Sequence, residues 1–254
     1  MNRRLSRSCG LLLVVFLTMT GCAGSGAEGS DRRVMVFAAA SLTEVFRTVA
    51  EDFERKHPDT DVVLSFGSSA TLARQLREGA PADVFAAADR RTVAMVTDAG
   101  LAPGNPPLFA RNRLQIVVPA ANPGKVRGLP DLARAELVVA LCAPSVPCGA
   151  AAQKALRAAN LSVRPDSYEK DVKAALAKVV LGEVDAALVY HTDVLAAGDK
   201  VIGIELPVAA RVTNDYPIAV LRHAANQRAA EAFVAYLRSP AGRRTLSGAG
   251  FETP

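Results

Sequence analysis

Apolar residues along this chain form short continuous runs that alternate with longer stretches of helical spacing. The run at 34–38 is typical of a buried strand, and apolar residues three or four positions apart follow it from 42 to 53. Strands separated by helices of this length pair in parallel through crossover connections, so the pattern predicts an α/β fold. The predicted strands are 34–38, 62–66, 84–87, 114–118, 137–141, 186–190, 201–204 and 218–221, and the predicted helices are 42–53, 70–78, 90–99, 150–159, 172–181, 227–238 and 240–249.

The pattern begins again after Pro106 and Pro107, and this restart divides the chain into two units. With 254 residues, of which 50% are hydrophobic, the chain is long enough for two such units. We therefore predict two α/β lobes, each a sheet flanked by helices. The first lobe is expected to end near residue 110 and the second to begin near residue 111.

The first residues of the chain have the character of an export signal. Arg3, Arg4 and Arg7 make the start positive, and the apolar core that follows, at 11–17, is seven residues long. A segment of that length is too short to span a bilayer as a helix, but it is typical of a secretory signal peptide.

A cysteine follows the apolar core closely. The segment Thr18-Met19-Thr20-Gly21-Cys22 resembles a lipobox, in which the cysteine is diacylated and becomes the new N-terminus. Met19 stands where Leu, Val or Ile is usual, and the alternative is an ordinary secretory signal. We interpret 1–22 as a lipoprotein signal peptide with a lipidated Cys22, and the Gly-, Ser- and Ala-rich segment 23–31 as a flexible tether. The protein is then expected outside the cytoplasm, anchored to the cell membrane.

Charge and aromatic content narrow the classes of partner. The formal net charge is +5, but three of these charges belong to the arginines of the leader, and the remaining Lys and Arg are scattered. Nucleic-acid binding is therefore not expected. The absence of Trp and an aromatic content of 5% disfavour a large aromatic cage for a sugar or an organic cation.

Two cysteines remain once the leader and the lipidated residue are set aside. Cys142 and Cys148 lie on a loop that also contains Pro144 and Pro147. In an oxidising compartment this arrangement indicates a short disulfide. The alternative is a metal-binding pair, but no His or further Cys lies nearby to complete such a site.

Small polar residues occur where predicted strands pass into helices. Ser41 has the position of a helix N-cap, Gly67-Ser68-Ser69-Ala70-Thr71 repeats the arrangement, Pro147-Cys148-Gly149 precedes a third helix and Asp171-Val172 begins a fourth. Helix N-termini present unpaired N–H groups and partial positive charge, which suit an anion. Taken alone, each serine is better explained as a simple helix cap.

A family resemblance runs through the mature chain in order. The segments that carry it are Phe37-Ala38-Ala39-Ala40-Ser41-Leu42, Phe66-Gly67-Ser68-Ser69-Ala70-Thr71-Leu72-Ala73, Gly79-Ala80-Pro81-Ala82-Asp83-Val84-Phe85, Val146-Pro147-Cys148-Gly149, Lys170-Asp171-Val172-Lys173-Ala174-Ala175-Leu176, Val189-Tyr190 and Asp215-Tyr216-Pro217-Ile218-Ala219-Val220. With these segments the sequence resembles the periplasmic molybdate-binding proteins of ABC transporters, whose fold is the two-lobed type II periplasmic binding protein that closes over its ligand. The resemblance implies that the C-terminal segment returns to the first lobe through two crossing strands, giving lobes of 32–110 plus 212–254 and of 111–211.

The resemblance also implies the residues that hold the ligand. Ser41 and Ser69 correspond to hydroxyl and backbone N–H donors, Cys148 and Val172 to backbone N–H donors, and Tyr190 to a phenol donor. Many relatives have Ala in place of Cys148, but the role belongs to the backbone. The metal of the oxyanion is not ligated directly. The implied function is capture of molybdate or tungstate and delivery to the permease of an ABC importer, by a monomer without a cofactor.

A pocket of neutral donors without a carboxylate complements a fully deprotonated dianion and disfavours protonated phosphate, whose O–H needs an acceptor. Asp83 is accordingly interpreted as a structural residue. The alternative function is binding of another anion, such as sulfate, a phosphonate or a small carboxylate. Enzymatic activity is not expected, because the chain lacks a Gly-x-Ser-x-Gly nucleophile elbow.

Overall fold

The computed structural model describes residues 32–206 and 212–254. The predicted signal peptide, Cys22 and the tether 23–31 lie outside these residues. Within them, no helix has the length and apolar character needed to cross a membrane. The strands are β1 (Arg33–Ala39), β2 (Asp61–Gly67), β3 (Val84–Ala86), β4 (Leu108–Pro119), β5 (Val139–Cys142), β6 (Ser167–Glu169), β7 (Ala186–Tyr190), β8 (Val201–Glu205) and β9 (Thr213–Val220). The helices are α1 (Thr43–Lys56), α2 (Ser69–Arg77), α3 (Arg90–Thr97), α4 (Pro147–Ala158), α5 (Val172–Val180), α6 (His191–Ala197), α7 (Gln227–Arg238) and α8 (Pro240–Gly248).

The strands follow the order β2-β1-β3-β9-β4-β7-β5-β6, with β8 paired to β4. β1 pairs in parallel with β2 and β3, and β5 pairs in parallel with β6 and β7, as strands joined by crossover helices do. β4 and β9 pair antiparallel to each other; the first half of β4 pairs with β9, whereas its second half pairs with β7 and β8. The α/β prediction is confirmed, and two long strands connect its two halves.

Each half has its own hydrophobic core. In the first lobe, formed by β1–β3, α1–α3, α7 and α8, one face of the sheet is covered by a cluster that includes Phe46, Phe53 and Phe233. The ring centroids of Phe53 and Phe233 lie 5.4 Å apart in an edge-on arrangement. In the second lobe, formed by β5–β8 and α4–α6, a separate cluster includes Ile116 and Leu188. The residue bounds of the lobes stay a prediction.

Several elements differ from the sequence prediction. β6 and α6 were not predicted: β6 is short and only partly buried, so it lacks an apolar run, and α6 begins at the residue after β7 without an intervening loop. Helix α4 begins at Pro147 rather than at residue 150, because proline is favoured in the first turn of a helix, where its missing N–H costs nothing. β4 is 12 residues long and extends six residues before the predicted start.

Candidate anion-binding site

A small cavity lies between the lobes, where strands end and helices begin. Its volume is about 20 Å³, far below the 300–1,000 Å³ typical of sites for organic ligands, so it suits one small ion. All five positions that the sequence predicted as ligands line it. The lining residues are Ala39, Ala40, Ser41, Ser68, Ser69, Ala88, Val146, Pro147, Cys148, Asp171, Val172 and Tyr190.

Ser41 is placed differently from its expected capping role. It lies within a 3-10 turn, Ala40–Leu42, and Leu42 rather than Ser41 occupies the cap position of α1. The predicted N-cap is therefore wrong, because this extra turn separates β1 from α1. The Ser41 hydroxyl instead lies 2.9 Å from the hydroxyl of Tyr216, and both side chains are buried.

Ser69 is the first residue of α2, and the cap is its neighbour Ser68. The Ser68 hydroxyl accepts the backbone N–H of Thr71 at 3.3 Å, so the interpretation of Ser69 as a capping residue is wrong. The Ser69 hydroxyl oxygen accepts the backbone N–H of Ala88 at 2.9 Å. With that acceptor position filled, the hydroxyl proton of Ser69 is available to a group in the cavity.

Helix α4 presents its first turn to the cavity. Cys148 is the second residue of this helix, and a disulfide joins it to Cys142 at the end of β5, with the two Cα atoms 5.7 Å apart. The next residue is Gly149, and no larger residue fits there because a Cβ would collide with the carbonyl oxygen of Ala143. The strand end and the helix start are thus held in close contact, with the N–H groups of the turn at the cavity.

Helix α5 presents its N-terminus in the same way. Val172 is its first residue, and the carboxylate of Asp171 accepts the N–H of Ala174 at 2.9 Å as the cap. Because Asp171 lines the cavity, the expectation of a site without any carboxylate residue is wrong. The Oδ1 atom of Asp171 accepts the N–H of Ala174 and does not occupy the N–H of Val172. The N–H of Val172 therefore remains a donor beside Asp171.

Tyr190 closes the cavity from the end of β7. Its hydroxyl oxygen accepts one N–H of the Asn214 amide at 2.9 Å, and the same amide nitrogen donates to the carbonyl oxygen of Ala88 at 2.8 Å. Burial raises the pKa of Tyr190 well above its ordinary value, and the charges of Asp89 and Asp193 act in the same direction. The phenol therefore stays protonated and able to donate.

A second buried phenol lies behind the cavity wall. Tyr216 is fully buried and is hydrogen-bonded to Ser41, Asn112 and Tyr190. The Asn112 amide also donates to the hydroxyl of Thr192 at 2.8 Å. Tyr216 lies in a segment that carries the family resemblance, but the sequence indicated no role for it and gave no prediction for Asn112 or Asn214. The available signal was a polar side chain at a buried position, since Asn112 is 2% exposed.

One lysine spans the cleft beside the cavity. Nζ of Lys173, on α5, lies 2.7 Å from Oε2 of Glu44 on α1 and 3.0 Å from Oδ1 of Asp193 on α6. Burial outweighs this pairing and raises the pKa of Asp193 to about 6. Burial alone would lower the pKa of Lys173, but the charges of Asp193 and Glu44 outweigh it and raise that pKa. Lys173 thus ties the two lobes together.

The remaining candidate groups lie away from the cavity. Asp83 is buried and accepts the backbone N–H groups of Met35 (2.7 Å) and Ala225 (2.6 Å), which is a structural role. His191 pairs with Gln115 at 3.2 Å. In the ranges 32–206 and 212–254, no group of three or more His, Cys, Asp or Glu residues could hold a metal ion.

The chain is similar to known proteins over most of its length. Residues 34–252 match the model of the bacterial extracellular solute-binding proteins. The chain belongs to this family. This solute-binding protein is 40% identical over 260 residues to the molybdate-binding protein ModA of Mycobacterium tuberculosis, with 99% of this chain and 100% of the relative covered.

Solved structures show the same fold. The periplasmic molybdate-binding protein of Azotobacter vinelandii matches with a TM-score of 0.77 at 22% identity, covering 87% of this chain and 99% of that chain. The sulfate-binding protein SubI of Mycobacterium tuberculosis matches with a TM-score of 0.76 at 20% identity, covering 87% and 86%. The solute-binding protein therefore has the two-lobed periplasmic binding protein fold, and the fold does not distinguish between these anions.

Proposed function

We propose that this protein captures molybdate or tungstate outside the cytoplasm and delivers the ion to the permease of an ABC importer. The observation that carries the proposal is the convergence of neutral donors from both lobes on one cavity of about 20 Å³. The 40% identity to a protein named as molybdate-binding supports the choice of ion.

The proposed ligand shell consists of three side chains and two helix starts. Ser41, Ser69 and Tyr190 supply hydroxyl donors, and Cys148 and Val172 supply backbone N–H groups at the N-termini of α4 and α5. A deprotonated tetrahedral dianion offers only acceptors, so such a shell satisfies it. Helix N-termini stabilise the charge without the desolvation of an Arg or Lys side chain.

Selectivity is proposed to come from size. Molybdate and tungstate are nearly equal in size, whereas sulfate is smaller and cannot reach the donors of both lobes at good distance. Each donor left unpaired in a closed cleft costs about 1–3 kcal/mol. Two such losses weaken binding about 30- to 20,000-fold.

Isothermal titration calorimetry with the purified protein tests this proposal. We expect similar affinities for molybdate and tungstate, with sulfate and phosphate much weaker. Sulfate binding within about tenfold of molybdate, a difference of only 1.4 kcal/mol, would leave a general oxyanion-binding protein instead.

We further propose that Cys22 is the lipid anchor and that the lobes comprise 32–110 with 212–254 and 111–211. The lipobox-like sequence before Cys22 supports the anchor, and the two separate hydrophobic cores support the division. In cells, Cys22→Ala is expected to yield a soluble or unprocessed form. Unchanged membrane association and mass in fractionation and mass spectrometry would exclude acylation at this residue.

A further inference from the structure

A charged contact crosses the cleft beside the oxyanion cavity. Glu44 lies in the first turn of α1, in the first lobe, and Lys173 is the second residue of α5, in the second lobe. Nζ of Lys173 lies 2.7 Å from Oε2 of Glu44. Ser41 lies just before α1, and Val172 immediately precedes Lys173. The contact therefore joins two segments that carry proposed ligand donors from opposite lobes.

A second carboxylate keeps Lys173 in place. Asp193, in the first turn of α6, is fully buried, and its Oδ1 atom lies 3.0 Å from Nζ of Lys173. Because α5 and α6 pack in the core of the same lobe, this pair does not depend on how far the cleft is open. When the lobes separate, Lys173 loses Glu44 but keeps Asp193, so opening does not leave the Asp193 carboxylate unpaired. The contact with Glu44 can therefore form and break at low cost.

Another polar contact crosses the cleft at a different point. Nη2 of Arg91, on α3, donates to the carbonyl oxygen of Ser145, in the loop before α4, at 2.9 Å. Removing Arg91 takes away a positive charge and disfavours any anion, whether or not the contact matters. Removing the charge of Glu44 has the opposite electrostatic effect, because it takes away a negative charge near a site for a dianion. Glu44 is therefore the residue at which contact and charge can be separated.

We infer that Glu44 is a positioning residue of the oxyanion site: through Lys173 it holds the cleft closed and slows the release of the bound ion. This inference rests on the proposed function. The ion enters the open cleft before the contact forms, so the contact does not speed association. Release requires the lobes to separate, and separation breaks the contact. The effect of Glu44 therefore falls on the dissociation rate.

The substitution Glu44→Gln tests the sign of this effect. If Glu44 acts only as a nearby charge, its neutralisation removes repulsion and a dianion binds more tightly. The inference predicts weaker binding, because a neutral amide holds Lys173 across the cleft less strongly than a carboxylate does. From the worth of a partly exposed ion pair, we expect molybdate to dissociate about two- to fivefold faster, with an association rate that is not lowered.

Two measurements on the purified protein give both rate constants. Stopped-flow mixing, followed by tyrosine fluorescence because the chain has no Trp, gives the association rate constant from its dependence on molybdate concentration. Calorimetric titration gives Kd, and the product of the two is the dissociation rate constant. Glu51→Gln is the matched control: this exposed glutamate lies about two turns further along α1, and its neutralisation is expected to leave dissociation unchanged.

A second background tests whether Glu44 acts through Lys173. In Lys173→Gln the charged partner is absent, so adding Glu44→Gln is expected to cause no further acceleration of dissociation. The same acceleration in this background, or in Glu51→Gln, would overturn the inference. Unchanged or slower dissociation in Glu44→Gln would overturn it as well.

The outcomes also separate this inference from the proposed function. If Lys173→Gln does not fold, as judged by its melting curve, the comparison of Glu44→Gln with Glu51→Gln decides. If the wild-type protein binds sulfate but not molybdate, the proposed function fails. The dissociation rate of sulfate then tests Glu44 in the same way, with the same expected acceleration.

Discussion

The substitution Tyr190→Phe tests the proposed ligand shell at a side chain that is only 1% exposed. It deletes one oxygen at the wall of the cavity and leaves the ring in place within the core of the second lobe. The lost group is the hydroxyl that accepts from Asn214 at 2.9 Å, on a residue that lines the cavity.

Two separate effects are expected from this change. A hydrogen bond to a charged ligand contributes about 1.5–3 kcal/mol, so molybdate affinity should fall about 10- to 150-fold. The bond to Asn214 is a neutral one, and its loss should lower the free energy of unfolding by about 0.5–1.5 kcal/mol. Asn214 keeps its bond to the Ala88 carbonyl, so only one of its two hydrogens loses a partner.

Tyr216→Phe is the matched control, because Tyr216 is also a fully buried phenol but does not line the cavity. It should lower the free energy of unfolding through its lost bonds to Ser41, Asn112 and Tyr190. Its molybdate affinity should fall by less than about tenfold, or 1.4 kcal/mol. Calorimetric titration and thermal melting of both variants give the comparison. Wild-type affinity in Tyr190→Phe, or equal losses in the two variants, would refute the placement of Tyr190 in the shell.

Three further predictions concern binding and stability. Ser69→Ala should weaken molybdate binding about 10- to 150-fold in a calorimetric titration, with the melting temperature measured alongside as a check on folding. The double variant Cys142→Ala/Cys148→Ala should keep molybdate binding, because the ligand role belongs to the backbone, and should lower the free energy of unfolding in denaturant titrations by about 2 kcal/mol for so short a loop. Asp193 has a raised pKa, about 6 against 3.8, so the folded state binds its proton more tightly than the unfolded chain does. The free energy of unfolding of the wild type should therefore fall relative to Asp193→Asn as the pH rises from about 4 to about 6, by at most about 3 kcal/mol; parallel curves would contradict this.

The sequence predicted those parts of the molecule whose signal is local. Buried parallel strands read as continuous apolar runs, and β1, β5 and β7 lie where such runs were found. β6 gave no such run because its residues are half-buried or exposed, and no loop precedes α6. The prediction of elements was therefore wrong where a strand is only partly buried or where one element follows another directly.

The candidate site, like the fold, could be predicted only in part. The five ligand positions that the family resemblance implied all line one cavity. Four of them lie at strand-to-helix junctions that the sequence pattern showed, whereas the junction at Tyr190 was not predicted. The partners behind them could not be predicted, since Ser41 meets Tyr216 across 175 positions of the chain and Tyr190 meets Asn214 across 24. Periodicity shows which side chains are buried, but it does not show which buried polar side chains meet.

An anomalous difference map from crystals of this protein grown with molybdate or tungstate would show directly where the oxyanion binds. We expect one strong peak in the cavity between the lobes, with oxygen atoms at hydrogen-bond distance from the hydroxyls of Ser41, Ser69 and Tyr190 and from the backbone nitrogens of Cys148 and Val172. A peak elsewhere, or an ion in this cavity that makes its contacts through other residues, would contradict it.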